Sequence, residues 1–129
     1  MKKSMKKIIS CDNAPKAIGP YSQAVEANGF VFISCQLGIN PKTGMLTDGI
    51  EEQTNQALKN LGSILETAGC SYDDVIKCTV LLEDMDNFKR VNEIYSTFFV
   101  QCAPARAAYG VVRLPMGAMI GIEAIALKK

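Results

Sequence analysis

An arginine set among small residues is the side chain in this sequence best suited to bind an anion. Arg106 lies between Ala105 and Ala107 in the stretch Ala-Pro-Ala-Arg-Ala-Ala. A guanidinium group stays protonated at physiological pH and can donate two parallel hydrogen bonds to a carboxylate. We therefore predict that Arg106 binds an anionic ligand, and a structural ion pair is the alternative role.

Groups that can move a proton are few, because the chain contains no histidine. Acid–base chemistry must then come from a carboxylate, tyrosine, thiol, lysine or the substrate itself. Glu123 is the only carboxylate between Ala103 and Ala126. The five cysteines are Cys11, Cys35, Cys70, Cys78 and Cys102. They contain no C-x-x-C pair, which predicts reduced thiols in a cytoplasmic protein and no metal site.

The elements that must position these residues follow from the hydrophobic pattern. Strands are predicted at residues 21–25, 30–36 and 75–82, helices at 50–68 and 88–99, and two further strands on either side of residues 114–118. Asn28-Gly29 predicts a tight turn between the first two strands, and Asp48 and Asp86 are predicted helix N-caps. The order predicts an α+β fold in which both helices cover one face of a mixed sheet.

The last strand alternates in a way that leaves apolar groups on the uncovered face. Ile120, Ile122, Ala124 and Ala126 share one face, and Met119, Gly121, Glu123 and Ile125 share the other. Val31 or Phe32 and Leu127 should add to the second face. Two helices cannot cover both faces, so we predict a closed homo-oligomer with a ligand site between subunits.

Composition excludes several classes of protein. A chain of 129 residues with 48% hydrophobic and 21% charged residues is typical of one globular domain. No apolar run approaches the roughly 20 residues of a membrane helix, and a net charge of +1 gives no general attraction to nucleic acid. Lysines at positions 2, 3, 6 and 7 predict a flexible basic tail over residues 1–12, followed by one domain over residues 13–129.

Seven short motifs, in order along the chain, resemble the Rid family of imine deaminases, also called YjgF-type or L-PSP proteins. They are Ala14-Pro15, Gly19-Pro20-Tyr21-Ser22-Gln23-Ala24-Val25, Ser34-Cys35-Gln36, Asn40-Pro41-Lys42-Thr43-Gly44, Val91-Asn92-x-x-Tyr95-x-x-Phe98-Phe99, Pro104-Ala105-Arg106 and Ile122-Glu123-Ala124-Ile125-Ala126. The resemblance implies a chorismate-mutase-like (YjgF-type) α+β domain and a homotrimer with ligand clefts between subunits. It also implies a cofactor-free hydrolase that converts 2-imino acids or enamines to 2-keto acids and ammonia, acting on products of pyridoxal-phosphate dehydratases.

The same resemblance implies roles for single residues. Arg106 would be the carboxylate clamp and Tyr21 would lie beside the substrate, both counted as catalytic. The expected substrate-binding residues are Arg106, Tyr21, Ser34, Cys35, Asn92 and Gly121. The alternative role of Tyr21 is packing alone. The alternative role of Asn92 is a hydrogen bond to the backbone.

Two positions depart from the family pattern. Cys35 stands where relatives usually carry a glycine, so its side chain could narrow the pocket or shift the backbone, and a reactive thiol is the alternative. Gly121 stands where enzymatic relatives carry the glutamate that activates water. Glu123 faces the same side but lies two residues further along, about 6.6 to 6.8 Å away, which is too far for a simple exchange. A brace between strands or subunits is its expected role, with a secondary catalytic role as the alternative.

The sequence therefore predicts an imine or enamine deaminase whose activity the loss of the glutamate puts in question. The alternative is a trimeric protein that binds keto acids or other small carboxylates without efficient catalysis. A third function, endoribonuclease or translation inhibitor, follows only from the family's naming. For that function the sequence offers no histidine and no basic surface interleaved with aromatic residues.

Overall fold

A mixed sheet of six strands, covered on one face by two helices, makes up the computed structural model, which describes residues 5–129. The elements are β1 (Lys7–Ile9), β2 (Ala24–Ala27), β3 (Phe30–Leu37), α1 (Gly49–Thr67), β4 (Val75–Leu82), α2 (Phe88–Phe98), β5 (Ala105–Gly110) and β6 (Ile120–Leu127). The strand order is β1-β2-β3-β6-β4-β5. Only β4 and β5 pair in parallel. The predicted α+β class and the order of seven elements are confirmed, and β1 is an addition.

The predicted turn between the first two strands is present. Asn28 and Gly29 both have positive φ, 52° and 82°, and β2 and β3 pair across them in antiparallel register. Positive φ at both central residues is the geometry that Asn-Gly tolerates best. The hairpin begins later than predicted, because residues 21–23 form a loop and β2 starts at Ala24.

The amino-terminal segment differs from the predicted tail. Lys7–Ile9 pairs with β2 as an edge strand, and Ile9 and Cys11 are buried in the core. Two buried apolar side chains and the backbone pairing of residues 7–9 thus hold this segment to the sheet, and the predicted boundary between a tail and a domain stays a prediction. Residues 1–4 lie outside the described residues, so the prediction for them stays a prediction.

The helices bury their apolar faces against one side of the sheet, which we call the helix face. Asp48 is the residue before α1, as predicted, although its side chain makes no capping hydrogen bond. The predicted cap Asp86 is wrong, because the side chain of Asp84 accepts a hydrogen bond from the Asp86 N–H in a short 3₁₀ turn and α2 starts only at Phe88. None of the helices among residues 5–129 is long and apolar enough to cross a membrane.

The other side of the sheet, the open face, is not covered by any helix within residues 5–129. Val31 is fully buried, whereas Phe32 is 46% exposed, so Phe32 is the residue of this pair that reaches the open face. In β6 the predicted alternation holds, with Ile120 and Ile122 fully buried and Glu123 exposed. The apolar residues of the open face thus remain accessible in a single chain.

A β-bulge in β3 lies at the centre of this face. Ile33 pairs with Ala124 and Gln36 pairs with Ile122, so Ser34 and Cys35 together oppose the one residue Glu123. A bulge bends its strand and redirects side chains locally. This irregularity brings the Ser-Cys dipeptide next to the central strand β6.

Candidate functional site

Arg106 lies on β5 at the edge of the sheet and points to the helix face. Its backbone pairs with buried Cys78 of β4. The guanidinium carbon lies 4.9 Å from the ring centroid of Tyr95 and 5.2 Å from that of Phe88, both on α2. Its Nη1 donates a 2.7 Å hydrogen bond to Oδ1 of Asn92. We call Arg106, Asn92, Phe88 and Tyr95 the arginine cluster.

Helical spacing explains why α2 supplies three of these side chains. Phe88, Asn92 and Tyr95 are separated by four and three residues, so they follow one stripe of the helix. The sequence pattern identified Phe88 and Tyr95 only as part of the apolar stripe and missed their contact with Arg106. The spacing of the two rings around Asn92 was the available signal. The side chain of Asn92 accepts its hydrogen bond from the Arg106 side chain, and not from the backbone as in the alternative role.

The guanidinium has no carboxylate partner within the described residues. The ion pairs there join Arg90 to two glutamates, Lys128 to Glu26 and Lys129 to Asp74. Arg106 itself is exposed. Asn92 occupies one donor, while the ring contacts engage the guanidinium face and leave N–H groups along its edge. This geometry suits a carboxylate from outside the chain.

The phenol beneath the arginine is neutral. Tyr95 is buried, its Oη has no hydrogen-bond partner among the described residues, and burial raises its pKa. The neighbouring Cys78 is fully buried, and burial raises the pKa of that thiol as well. The Cys78 thiol and the Tyr95 phenol are therefore both protonated. Neither carries a negative charge that would neutralise the Arg106 guanidinium.

A second set of predicted residues lies on the open face and is called the open-face group: Ser34, Cys35, Gly121 and Glu123. Ser34 Oγ donates a 2.6 Å hydrogen bond to the carbonyl of Ser22, and its N–H donates to the carbonyl of Gln23 at 2.9 Å. Ser34 thus ties the bulge to the loop that carries Tyr21.

Tyr21 is the exposed member of that loop. Its side chain is 53% exposed, and it lines a shallow cavity of about 310 Å³ beside the amino-terminal strand. The next residues are held firmly, because the buried amide of Gln23 donates to the carbonyls of Cys11 and Pro15 at 3.0 and 2.7 Å. The backbone under Tyr21 is anchored while the ring itself faces outward.

The thiol of Cys35 sits directly over Gly121. A β-carbon added to Gly121 would lie 2.5 Å from Cys35 Sγ, with Leu37 and Leu114 side-chain atoms 3.4 and 3.6 Å away. Burial, and to a lesser degree the negative charge of Glu123, raises the pKa of the thiol to about 11. Cys35 is thus a protonated, packed side chain at neutral pH, which does not favour the reactive-thiol alternative.

Glu123 is exposed beside this thiol. Within residues 5–129 its carboxylate makes no hydrogen bond or ion pair, so the expected brace between strands is not formed inside one chain. It lines an open-face cavity of about 330 Å³ together with Ser34, Lys77 and Thr79. No group of three or more metal-binding side chains occurs in the described part of the chain.

The structure does not bring the two groups together within one chain. Arg106 and Asn92 lie on the helix face at the β5 edge, whereas the open-face group lies on β3 and β6. Strands β6 and β4 separate β3 from β5, which corresponds to about 14 Å across the sheet. A single site that uses all the predicted residues therefore needs more than one copy of the chain.

Comparison with known proteins agrees with the sequence motifs. The family described as Endoribonuclease L-PSP matches residues 11–128. The 2-iminobutanoate/2-iminopropanoate deaminase of Mus musculus is 52% identical over 129 residues, which covers 99% of this chain and 96% of the mouse protein. A crystal structure from Thermotoga maritima has a TM-score of 0.94 at 50% identity and covers 97% of this chain and 99% of its own.

The structure of Escherichia coli TdcF with bound serine is also similar, with a TM-score of 0.92 at 39% identity and coverage of 95% and 99% of the two chains. All these matches extend over nearly the whole domain. The chain therefore belongs to the Endoribonuclease L-PSP family, the Rid family that its motifs indicated.

Proposed function

We propose that this protein is a hydrolytic deaminase that converts 2-imino acids, or their enamine tautomers, to 2-keto acids and ammonia. The observation that carries the proposal is the exposed guanidinium of Arg106, held by Asn92 and two aromatic rings and without a carboxylate partner among the described residues. The mouse relative bears the name of such a deaminase, and TdcF was solved with bound serine, a small amino acid. Both support a small carboxylic acid as ligand.

In the proposed reaction Arg106 binds the substrate carboxylate through two N–H groups. The reacting imine carbon is adjacent to that carboxylate, so the clamp fixes its position and stabilises the negative charge next to it. Water adds to the imine carbon, the carbon–nitrogen bond then breaks, and ammonia leaves. One water molecule is consumed and the 2-keto acid forms, with no redox step.

We propose further that the site is completed between subunits of a homotrimer. The arginine cluster lies at a sheet edge and the open-face group lies on the opposite face, so a neighbouring copy could unite them. The exposed apolar residues of the open face, Phe32 and Leu127 among them, support burial against another copy. The substrates would come from pyridoxal-phosphate dehydratases, whose products are enamines and imines of this size.

One observation favours the alternative of a small-carboxylate binding protein. Position 121 carries no carboxylate, and the Cys35 thiol fills the space above it. A clamp that binds a keto acid without a group to orient water would give binding with little catalysis. The two functions share Arg106 and differ in whether hydrolysis exceeds the uncatalysed rate.

The deciding experiment couples the purified protein to a threonine dehydratase and measures the rate of imine hydrolysis. We expect the parent protein to exceed the buffer rate and Arg106→Ala to lose at least about tenfold, because a charge-assisted carboxylate contact is removed. Arg106→Lys keeps the charge but not the planar fork, and it should fall between the two. A parent rate equal to buffer, with keto-acid binding that depends on Arg106, would establish the binding-protein function instead.

A further inference from the structure

The glycine at position 121 is not required by its backbone. Its φ does not lie in the left-handed region, where six other glycines of this chain have their φ. Gly121 is the second residue of β6 and pairs with Leu37 on one side and Leu81 on the other. Any side chain could adopt this backbone conformation, so the reason for glycine must be sought among its neighbours.

The neighbour that excludes a side chain is Cys35. Its sulfur would lie 2.5 Å from a β-carbon at position 121, well inside van der Waals contact, while Leu37 and Leu114 stay at 3.4 and 3.6 Å. The bulge in β3 accounts for this position, because Ser34 and Cys35 both oppose Glu123 and the sulfur of Cys35 lies over Gly121. The sulfur is one bond from Cβ and can move away only by rotation about χ1, so relief of the contact requires a different rotamer of a packed side chain or a shift of the backbone.

We infer that Cys35 and Gly121 form one steric unit, in which Cys35 determines whether position 121 can carry a side chain. In its present rotamer the thiol occupies the volume that a side chain at position 121 would need, so the two compete for the same space. At this point the open face therefore presents a neutral thiol, and Glu123 is left as the one carboxylate of the group. The consequence for catalysis rests on the proposed function, whereas the steric exclusion does not.

The inference makes a counterintuitive prediction about restoring a carboxylate. Gly121→Glu alone should not yield a well-positioned carboxylate. Its β-carbon collides with the Cys35 thiol, so either the thiol or one of the strands β3 and β6 must move. Cys35→Gly removes the obstacle, so the double variant can place a carboxylate at position 121 without this collision.

A double-mutant cycle read by thermal unfolding tests the exclusion. Gly121→Ala adds one methyl group and should lower Tm by about 5 °C or more, as expected for overpacking of a closed site. In the Cys35→Ala background the same substitution should lower Tm by less than about 1 °C, since the sulfur is gone. The Cys35→Ser background is the matched control, because the serine oxygen takes the place of the sulfur. In that background Gly121→Ala should retain most of its loss in Tm. Equal losses in the parent and Cys35→Ala backgrounds would overturn the inference.

The threonine dehydratase assay tests the catalytic consequence. Cys35→Gly/Gly121→Glu should raise kcat at least about tenfold over Cys35→Gly, because a positioned carboxylate can act on the attacking water. Gly121→Glu alone should raise kcat less than about twofold. A single variant that folds and gains as much as the double would refute the exclusion. If no variant, the parent included, hydrolyses imine, the proposed function fails while the Tm cycle still decides the steric unit.

Discussion

At the scale of single residues, the arginine cluster shows how a binding group is oriented without being neutralised. Two aromatic rings contact the guanidinium and Asn92 accepts a hydrogen bond from one of its nitrogen atoms, yet none of these groups carries a negative charge. A cation held over aromatic rings keeps its full charge for an incoming ligand. Asn92 is therefore a positioning residue for Arg106.

The amide of Asn92 leads to a prediction about charge. Asn92→Asp would give Arg106 a permanent carboxylate partner of nearly the same shape, which competes with the ligand's carboxylate. We expect the Kd for pyruvate to rise about tenfold in Asn92→Asp, and less in Asn92→Ala, where only one hydrogen bond is lost. Titration calorimetry measures both values. Equal affinities for the two variants would show that Asn92 does not control the availability of the guanidinium.

The Cys35 thiol leads to a prediction about alkaline stability. Its pKa rises from 9.0 to about 11 in the folded protein, mainly through burial. The folded state then holds the proton more tightly than the unfolded state, so this contribution is fully present below pH 9 and is lost as pH rises through 11. The free energy of unfolding of the parent should fall more steeply between pH 9 and 11 than that of Cys35→Ala.

Urea unfolding at a series of pH values, in the presence of a reductant, measures how the free energy of unfolding of the parent and of Cys35→Ala changes with pH. Cys102→Ala, which removes an exposed thiol, is the matched control and should follow the parent. Parallel curves for the parent and Cys35→Ala would contradict the burial of this thiol.

At the scale of elements, the bulged strand is positioned by a close approach between β3 and α1. A β-carbon at Gly38, directly after β3, would lie 2.5 Å from Cα and 2.6 Å from the carbonyl oxygen of Gln53 in α1. The Gln53 side chain accepts a hydrogen bond from the Met119 N–H and donates one to the carbonyl of Thr47. The contacts of Gln53 therefore hold α1 against the end of β3 and against the start of β6.

Gly38→Ala should break this approach. The added methyl group meets backbone atoms that cannot rotate away, so we expect a loss of about 1–3 kcal/mol in the free energy of unfolding. Lys59→Ala, on the exposed side of α1, should change it by less than about 0.5 kcal/mol. Urea unfolding of the two variants decides the matter, and a Gly38→Ala protein as stable as Lys59→Ala would show that α1 and β3 can separate freely.

At the scale of the whole molecule, the separation of the arginine cluster from the open-face group is the main structural argument for assembly. A site shared by two chains can be rebuilt from two defective partners. Arg106→Ala spoils one half of the proposed site, and Cys35→Phe blocks the other half. Neither variant alone should hydrolyse imine above the buffer rate.

Unfolding the two variants together and refolding them as a mixture should restore activity. In random trimers with one site at each interface, about a quarter of the sites combine an intact arginine with an intact open face. The sample should also sediment near 42 kDa, three times the 14.0 kDa of one chain. A mixture that stays inactive, with both variants folded, would show that each site lies within a single chain.

The sequence by itself determined the element order, the hairpin turn and the alternation of β6, because each depends on residues that are neighbours along the chain. Asn28-Gly29 adopts positive φ wherever it lies, and apolar residues at every second position give a strand one buried face. The motifs around Arg106 and Glu123 likewise indicated the family from the amino-acid sequence alone. The predicted N-cap of α2 was wrong and the strand Lys7–Ile9 was not predicted, because each is decided by contacts that local patterns do not encode.

Only the tertiary structure decided how the functional positions are related to one another. Arg106 and Glu123, seventeen residues apart, lie on opposite faces of one sheet, and the packing of α2 brings the rings of Phe88 and Tyr95 to the arginine. Cys35 and Gly121 are far apart in the chain, and a bulge that no periodicity predicts brings them together. The two departures from the family pattern thus become a single feature, because two atoms cannot occupy the same volume.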